Sequence, residues 1–155
     1  MGPSAPPPDS IYDVTVNAGS FDGISEVLVE RAVLRALASV ERSGGKISVT
    51  LLPDSDIQAL NRDYLGRDRP TDVIAFSLGE GVEVFGDVYV GFEQAQRQAL
   101  GADVPLTEEL LRLAIHGTLH VLGHDHVEGP ERISGPMFSL QERVLQEILD
   151  EDVEP

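Results

Sequence analysis

The residues best suited to chemistry are the four histidines of the chain, which all lie between positions 116 and 126. His116 and His120 are four residues apart in a segment with helical periodicity, so their side chains should lie one above the other on one helix face. Two imidazoles in this arrangement can bind the same zinc ion at about 2.0–2.1 Å. Gly123 follows the last apolar residue, where a glycine typically ends a helix in the left-handed conformation. After that turn, His126 could supply a third imidazole.

The number of ligands decides what kind of metal site this would be. Three imidazoles, from His116, His120 and His126, would leave one position of a zinc ion open to water, which is typical of a catalytic site. His124 could be a fourth ligand, a hydrogen-bond partner of a ligand, or a surface residue. Asp125 could either orient a ligand imidazole or cap the turn. The alternative is a histidine cluster without a metal, which would bury two unpaired imidazoles on an apolar helix.

The histidine spacing is also similar to the zinc endopeptidase pattern His-Glu-x-x-His-x-x-Gly-x-x-His. Gly123 and His126 occupy the positions of the glycine and the third histidine in that pattern. However, Gly117 replaces the glutamate that serves as general base, and glycine cannot accept a proton. The sequence therefore disfavours peptide hydrolysis by that mechanism.

The elements that must position these residues follow from hydrophobic periodicity. Strands are predicted over residues 11–17, 46–52, 72–77 and 86–91. Helices are predicted over residues 24–41, from Pro53-Asp54-Ser55 onward, and over residues 92–100, 107–122 and 136–149. Thr107 is expected to cap the histidine-bearing helix, and a turn over residues 79–83 to join the last two strands as a hairpin. We therefore predict a single α+β domain over residues 11–150, with about five helices on a small mixed four-stranded sheet.

Composition and the chain ends restrict the class of protein. Residues 1–10 are rich in proline and lack the charged start and apolar run of a secretory signal, so we expect a disordered leader, and residues 151–155 should form an acidic tail. The absence of cysteine excludes disulfides and thiolate zinc sites and suits the cytoplasm. With 11 basic and 27 acidic residues, the formal charge is -16. Long-range attraction to nucleic acid or to an anionic membrane is therefore not expected.

Three segments of the chain resemble the YbeY family of bacterial endoribonucleases that mature ribosomal RNA. The segment HGTLHVLGHDH at residues 116–126 is similar to the family signature HGxLHLxGxDH. Residues 60–77 are similar to the block LNxxYRxxDxPTDVLSF, and residues 86–90 to the strand GDIVI. The segments occur in the order of the family and span most of the predicted domain.

The resemblance implies a single-domain hydrolase with one zinc ion held by His116, His120 and His126. It also implies that the substrate is single-stranded RNA, cleaved in 3′-end maturation of small-subunit ribosomal RNA and in ribosome quality control. The implied partners are the ribosome or a small-subunit ribosomal protein, in the cytoplasm. The motifs do not identify the catalytic acid or base.

The middle block departs from the family at one position. Many members carry arginine after the tyrosine of this block, but the present chain has Leu65. Arg62, Arg67 or Arg69 could replace the contact of that arginine with RNA, or each could simply pair with a neighbouring aspartate. Thr71 and Asp72 of the same block could stabilise a turn or line a groove.

The acidic charge opposes RNA binding, because such binding usually depends on Lys and Arg contacts with phosphates. A locally positive cleft containing zinc could still hold RNA, or a basic ribosomal protein could deliver it. Two other functions also remain open: a zinc peptidase-like hydrolase, and an acidic ribosome-assembly factor whose zinc is structural.

Overall fold

We describe a computed structural model of the chain that covers residues 11–40, 44–78, 83–123 and 135–153, without the side chains of residues 152 and 153. Within these residues the strands are β1 (Tyr12–Asn17), β2 (Gly45–Leu52), β3 (Val73–Ser77) and β4 (Val84–Gly91). The helices are α1 (Glu26–Leu37), α2 (Asp54–Leu65), α3 (Phe92–Ala102), α4 (Leu106–Val121) and α5 (Pro136–Val153). The observed order of elements is the predicted one, and the α+β fold is confirmed.

The four strands form one mixed sheet in the order β1-β2-β4-β3. The β1–β2 and β2–β4 pairs are parallel, and β3 is antiparallel to β4 with Val73 opposite Val90 and Ser77 opposite Gly86. The predicted pairing of the last two strands is therefore confirmed, although residues 79–82 of the turn lie outside the described part of the chain.

Helix α4 is the centre of the core. It packs against the helices α1, α3 and α5 and against the strands β3 and β4 of the sheet. Its fully buried side chains include Leu111, Ile115 and Leu119, as expected for a helix with apolar residues at helical spacing. No helix in the described ranges has the length and apolar character needed to cross a membrane.

A close approach between α4 and β4 depends on one glycine from each element. A Cβ atom at Gly117 would lie 2.5 Å from Cγ1 of Val88, and one at Gly86 would lie 2.5 Å from Cγ1 of Val121. Both distances are too short for carbon atoms in contact, and a β-branched valine cannot easily turn aside. The two glycines therefore let the histidine-bearing end of α4 lie directly on the sheet.

Several helix ends differ from the sequence prediction, most clearly at the start of α4 and at the ends of α1 and α5. Thr107 is not the cap of α4, because the helix begins at Leu106 after Pro105, whose backbone is extended and whose side chain makes no cap hydrogen bond. Helix α1 ends at Leu37 rather than at residue 41. Helix α5 continues past residue 149 to Val153, and Glu151 in this added turn pairs with Arg31 of α1.

Candidate functional site

The two histidines of α4 lie side by side, as their spacing predicts. The ring centroids of His116 and His120 are 4.8 Å apart, with an angle of 71° between the ring planes. Both side chains are half-buried. The helix ends directly after them, since Gly123 has a φ of 95° and its N–H donates to the carbonyl of His120 at 2.9 Å. The predicted left-handed stop at Gly123 is therefore confirmed.

The other predicted site residues of this motif lie outside the described part of the chain. These are His124, Asp125 and His126. Among the residues that the structure does describe, no three His, Cys, Asp or Glu side chains form a group that could hold a metal ion. The third ligand of the predicted zinc site therefore stays a prediction.

The two histidines open onto a cavity of about 330 Å³ between α4, β3 and the loop that follows α2. Its polar lining comes from Asn61, Arg67, Thr71, Asp72, His116 and His120. Its apolar lining includes Leu65, Val73, Ile74 and Ala75. The cavity thus joins two sequence segments, around residues 61–75 and 116–120, that are far apart along the chain.

The three arginines of the middle block have different surroundings. Arg62 pairs with Asp63 at 3.0 Å, and this hydrogen bond raises the pKa of its guanidinium. Arg67 lines the cavity, is exposed, and forms no ion pair with any residue the structure describes. Arg69 is exposed but does not line the cavity. Of these three arginines, Arg67 is therefore the one on the described cavity wall, which also includes Leu65.

The loop that carries Arg67 is fixed by hydrogen bonds. The buried amide of Asn61 donates to the carbonyl of Arg69 at 2.9 Å. Asp72 accepts from the N–H of Val73 at 2.8 Å through its carboxylate, and from the N–H of Gly91 at 2.7 Å through its carbonyl. Asp72 therefore has the predicted turn function and also lines the cavity. The backbone of Arg67 is itself bonded, since its N–H donates to the carbonyl of Asn61 at 3.2 Å.

One residue of the site was missed by sequence reasoning. Gln141 of α5 is 4% exposed, and its Oε1 lies 2.6 Å from Nδ1 of His116. A signal was available, because Gln141 shares the apolar face of its helix with Val144 and Leu145 at helical spacing. A buried amide in such a position needs hydrogen-bond partners, which the local pattern cannot name.

Comparison with known proteins gives consistent matches over most of the chain. A family model described as Endoribonuclease YbeY matches residues 19–149. The chain is 38% identical over 130 residues to the Endoribonuclease YbeY of Persephonella marina, which covers 81% of this chain and 84% of that protein. It is 40% identical over 132 residues to the protein of the same name from Brevibacillus brevis, covering 74% and 82%. The solution structure of TM1509 from Thermotoga maritima matches with a TM-score of 0.64 and 29% identity over 90% of both chains. The family match includes every described residue that lines the cavity.

Proposed function

This chain belongs to the YbeY family of endoribonucleases, and from that premise we propose that it is a zinc-dependent hydrolase that cleaves single-stranded RNA. We place this activity in 3′-end maturation of small-subunit ribosomal RNA and in ribosome quality control, in the cytoplasm. The observation that carries the proposal is the position of His116, His120 and Arg67 on the walls of one cavity. Such a cavity combines nitrogen ligands for a metal with a cation for a phosphate.

The proposed metal ligands are His116, His120 and His126. The fit is supported by two adjacent imidazoles whose centroids are 4.8 Å apart and which border a cavity open to substrate. Imidazole nitrogens are ligands that zinc prefers. A zinc ion bound by three of them would supply Lewis-acid chemistry and would lower the pKa of a bound water.

Arg67 is the proposed phosphate contact. A guanidinium presents N–H donors that match the geometry of phosphate oxygens, and an arginine not neutralised by a carboxylate keeps its full charge for that contact. Arg62 is a poorer candidate because Asp63 already binds its Nε. Arg67 would thus replace the arginine that many family members carry at the position of Leu65.

The charge of -16 makes a protein partner part of the proposal. Acidic side chains over the surface repel RNA at distances comparable to the screening length of about 8 Å at physiological salt. A basic small-subunit ribosomal protein would bind that surface and bring the RNA to the cavity. Arg67 would then contact a phosphate of an RNA that the partner holds.

The peptidase alternative is less consistent with the packing of α4. Its general base would have to be a glutamate at position 117. A Cβ atom there would lie 2.5 Å from Cγ1 of Val88 and 3.1 Å from Cγ2 of Val73. Position 117 therefore faces the sheet and has no room for a larger side chain.

The proposal is tested by metal content and RNA cleavage measured on the same preparations. We expect the purified protein to contain zinc and to cleave a short single-stranded RNA. The same RNA should stay intact when a chelator is added. His120→Ala should lose both zinc and cleavage while its far-ultraviolet circular dichroism is unchanged. His124→Ala is the matched control in the same motif and should keep both.

Two results would contradict the proposal. Cleavage by a preparation shown to contain no divalent metal would exclude zinc-dependent hydrolysis. Equal loss of zinc in His124→Ala and His120→Ala would indicate four protein ligands, and would favour the assembly factor with a structural zinc.

A further inference from the structure

Neighbouring side chains determine which partner donates in the hydrogen bond between Gln141 and His116. The Nε2 group of Gln141 donates to Oε2 of Glu142 at 3.0 Å, on the side away from His116. A carboxylate that is ionised can only accept hydrogen bonds. If Glu142 is ionised, the amide NH₂ must face it and the amide oxygen must face His116.

Arg112 keeps Glu142 ionised. Its Nε and Nη2 donate to the two carboxylate oxygens of Glu142 at 2.9 and 3.2 Å. Burial alone would raise the pKa of Glu142, but the hydrogen bonds from Arg112 and Gln141 and the charge of Arg112 outweigh it and lower this pKa. Glu142 is therefore a carboxylate at neutral pH.

Arg112 also pairs with two glutamates of its own helix α4, one of which contacts α3. It donates to Glu109 at 2.6 Å and to Glu108 at 3.1 Å, and Glu109 also accepts from Gln98 of α3 at 2.8 Å. Burial would lower the pKa of Arg112, but hydrogen bonds to Glu142 and Glu109 raise it above its ordinary value. The guanidinium therefore stays charged and in place, and Gln141 has one favourable orientation.

We propose that Gln141 is a positioning residue that fixes His116 in the tautomer with its proton on Nδ1. Its amide oxygen can only accept, so the ring must donate from Nδ1, and the lone pair of the imidazole then lies on Nε2. In metal sites, a partner on one ring nitrogen sets which nitrogen binds the ion. The value of this tautomer for metal binding rests on the proposed function, but the tautomer itself does not.

The tautomer can be measured directly in the metal-free full-length protein. Long-range ¹H–¹⁵N correlation spectra, recorded above the pH at which histidine titrates, distinguish a protonated ring nitrogen from one with a lone pair. We expect Nδ1 of His116 to be protonated in the wild type. Gln141→Met removes the acceptor with little change of shape and should give a mixture of tautomers. Gln141→Glu keeps an acceptor and should restore the Nδ1–H form.

Zinc affinity provides the second readout, by competition with a chromophoric chelator. Gln141→Met should weaken zinc binding by about 10- to 100-fold, the usual effect of losing such a partner. Gln146→Met is the matched control, because Gln146 is exposed on the same helix and bonds only to Asp150 among the described residues. It should bind zinc as the wild type does.

The possible failures of the two proposals are distinct. An Nε2–H tautomer of His116 in the wild type, or an unchanged tautomer in Gln141→Met, would overturn the positioning role. If both proteins bind zinc equally tightly, the contribution of this tautomer to metal binding is overturned. If the Nδ1–H tautomer is observed but the wild type binds no zinc, the positioning role stands and the proposed function fails.

Discussion

Helix α5 is held to the rest of the domain by two clusters of charged side chains, which differ in burial and in what they reach. The Arg112 cluster consists of Arg112, Glu108, Glu109 and Glu142. The Arg35 cluster consists of Arg31, Arg35, Glu147 and Glu151. The side chain of Arg112 is 22% exposed and that of Arg35 is 35% exposed. Only the Arg112 cluster continues, through Gln141, to a residue of the described cavity wall.

The difference shows that similar ion pairs have different functions at different depths. Exposed pairs contribute about 0–1 kcal/mol to stability, because water screens the charges and the long side chains lose conformational freedom. In a partly buried cluster, the loss of one partner leaves charges that water cannot fully solvate. The Arg35 cluster therefore helps to extend α5, whereas the Arg112 cluster also determines the orientation of a group in the site.

The largest expected effect is that of removing Arg112. Arg112→Met leaves Glu109 and Glu142 without their cation, and we expect a loss of about 3 kcal/mol in the free energy of unfolding, measured with urea. Arg35→Met is the matched control and should lose less than about 1 kcal/mol. Equal losses in the two variants would contradict the distinction between the clusters.

The next largest effect is expected at Gly117, on the side of α4 that faces the sheet. Gly117→Ala places a methyl group 2.5 Å from Cγ1 of Val88, so overpacking of about 1–3 kcal/mol should exceed the helix propensity of alanine, which is worth about 1 kcal/mol. We expect a lower thermal midpoint. Gly101→Ala, near the end of α3, meets no atom within 4 Å and should be neutral or stabilising. A stabilising Gly117→Ala would contradict the close contact of α4 with the sheet.

A third prediction contrasts Arg67, which lines the cavity, with Arg62, which is paired with Asp63. Arg67→Gln should weaken binding of a short single-stranded RNA about tenfold, as expected for the loss of one charge-assisted contact. The slope of log affinity against log salt concentration should also fall by about 1, because one phosphate contact is lost. Arg62→Gln is the control, because Arg62 is already paired with Asp63. The same loss in both variants would indicate a general charge effect rather than a contact in the cavity.

The sequence predicts those features that depend on local spacing. The order of elements, the shared face of His116 and His120, and the stop at Gly123 all follow from periodicity and turn chemistry. The sequence does not predict that Gln141 contacts His116, or that Gly117 faces Val88, because these contacts join elements that are far apart along the chain. It also left three arginines equivalent, and only the folded loop separates Arg67 from Arg62. The predicted start of α4 was wrong for a local reason. Pro105 has the extended backbone needed before a helix, so Thr107 is not required as a cap.

The smallest expected effect is the response of the two clusters to acid and salt. Hydrogen bonds from Arg35 and Arg31 lower the pKa of Glu151, and those from Arg112 help to lower the pKa of Glu142. A carboxyl whose pKa is lower in the folded state stabilises the fold above its unfolded pKa, and this contribution is lost as the pH falls through the folded value. We therefore expect the difference in stability between wild type and Glu142→Gln to shrink below the ordinary glutamate pKa of 4.5.

Salt then separates the two clusters at neutral pH. Raising the ionic strength from about 0.1 to about 1 M shortens the screening length from about 10 to about 3 Å, which weakens exposed pairs more than buried ones. The difference in thermal midpoint between wild type and Glu151→Gln should therefore disappear in high salt, while that for Glu142→Gln should largely remain. If salt abolishes both differences equally, Glu142 is as well solvated as Glu151, and the Arg112 cluster cannot fix the orientation of Gln141 in the way its contacts indicate.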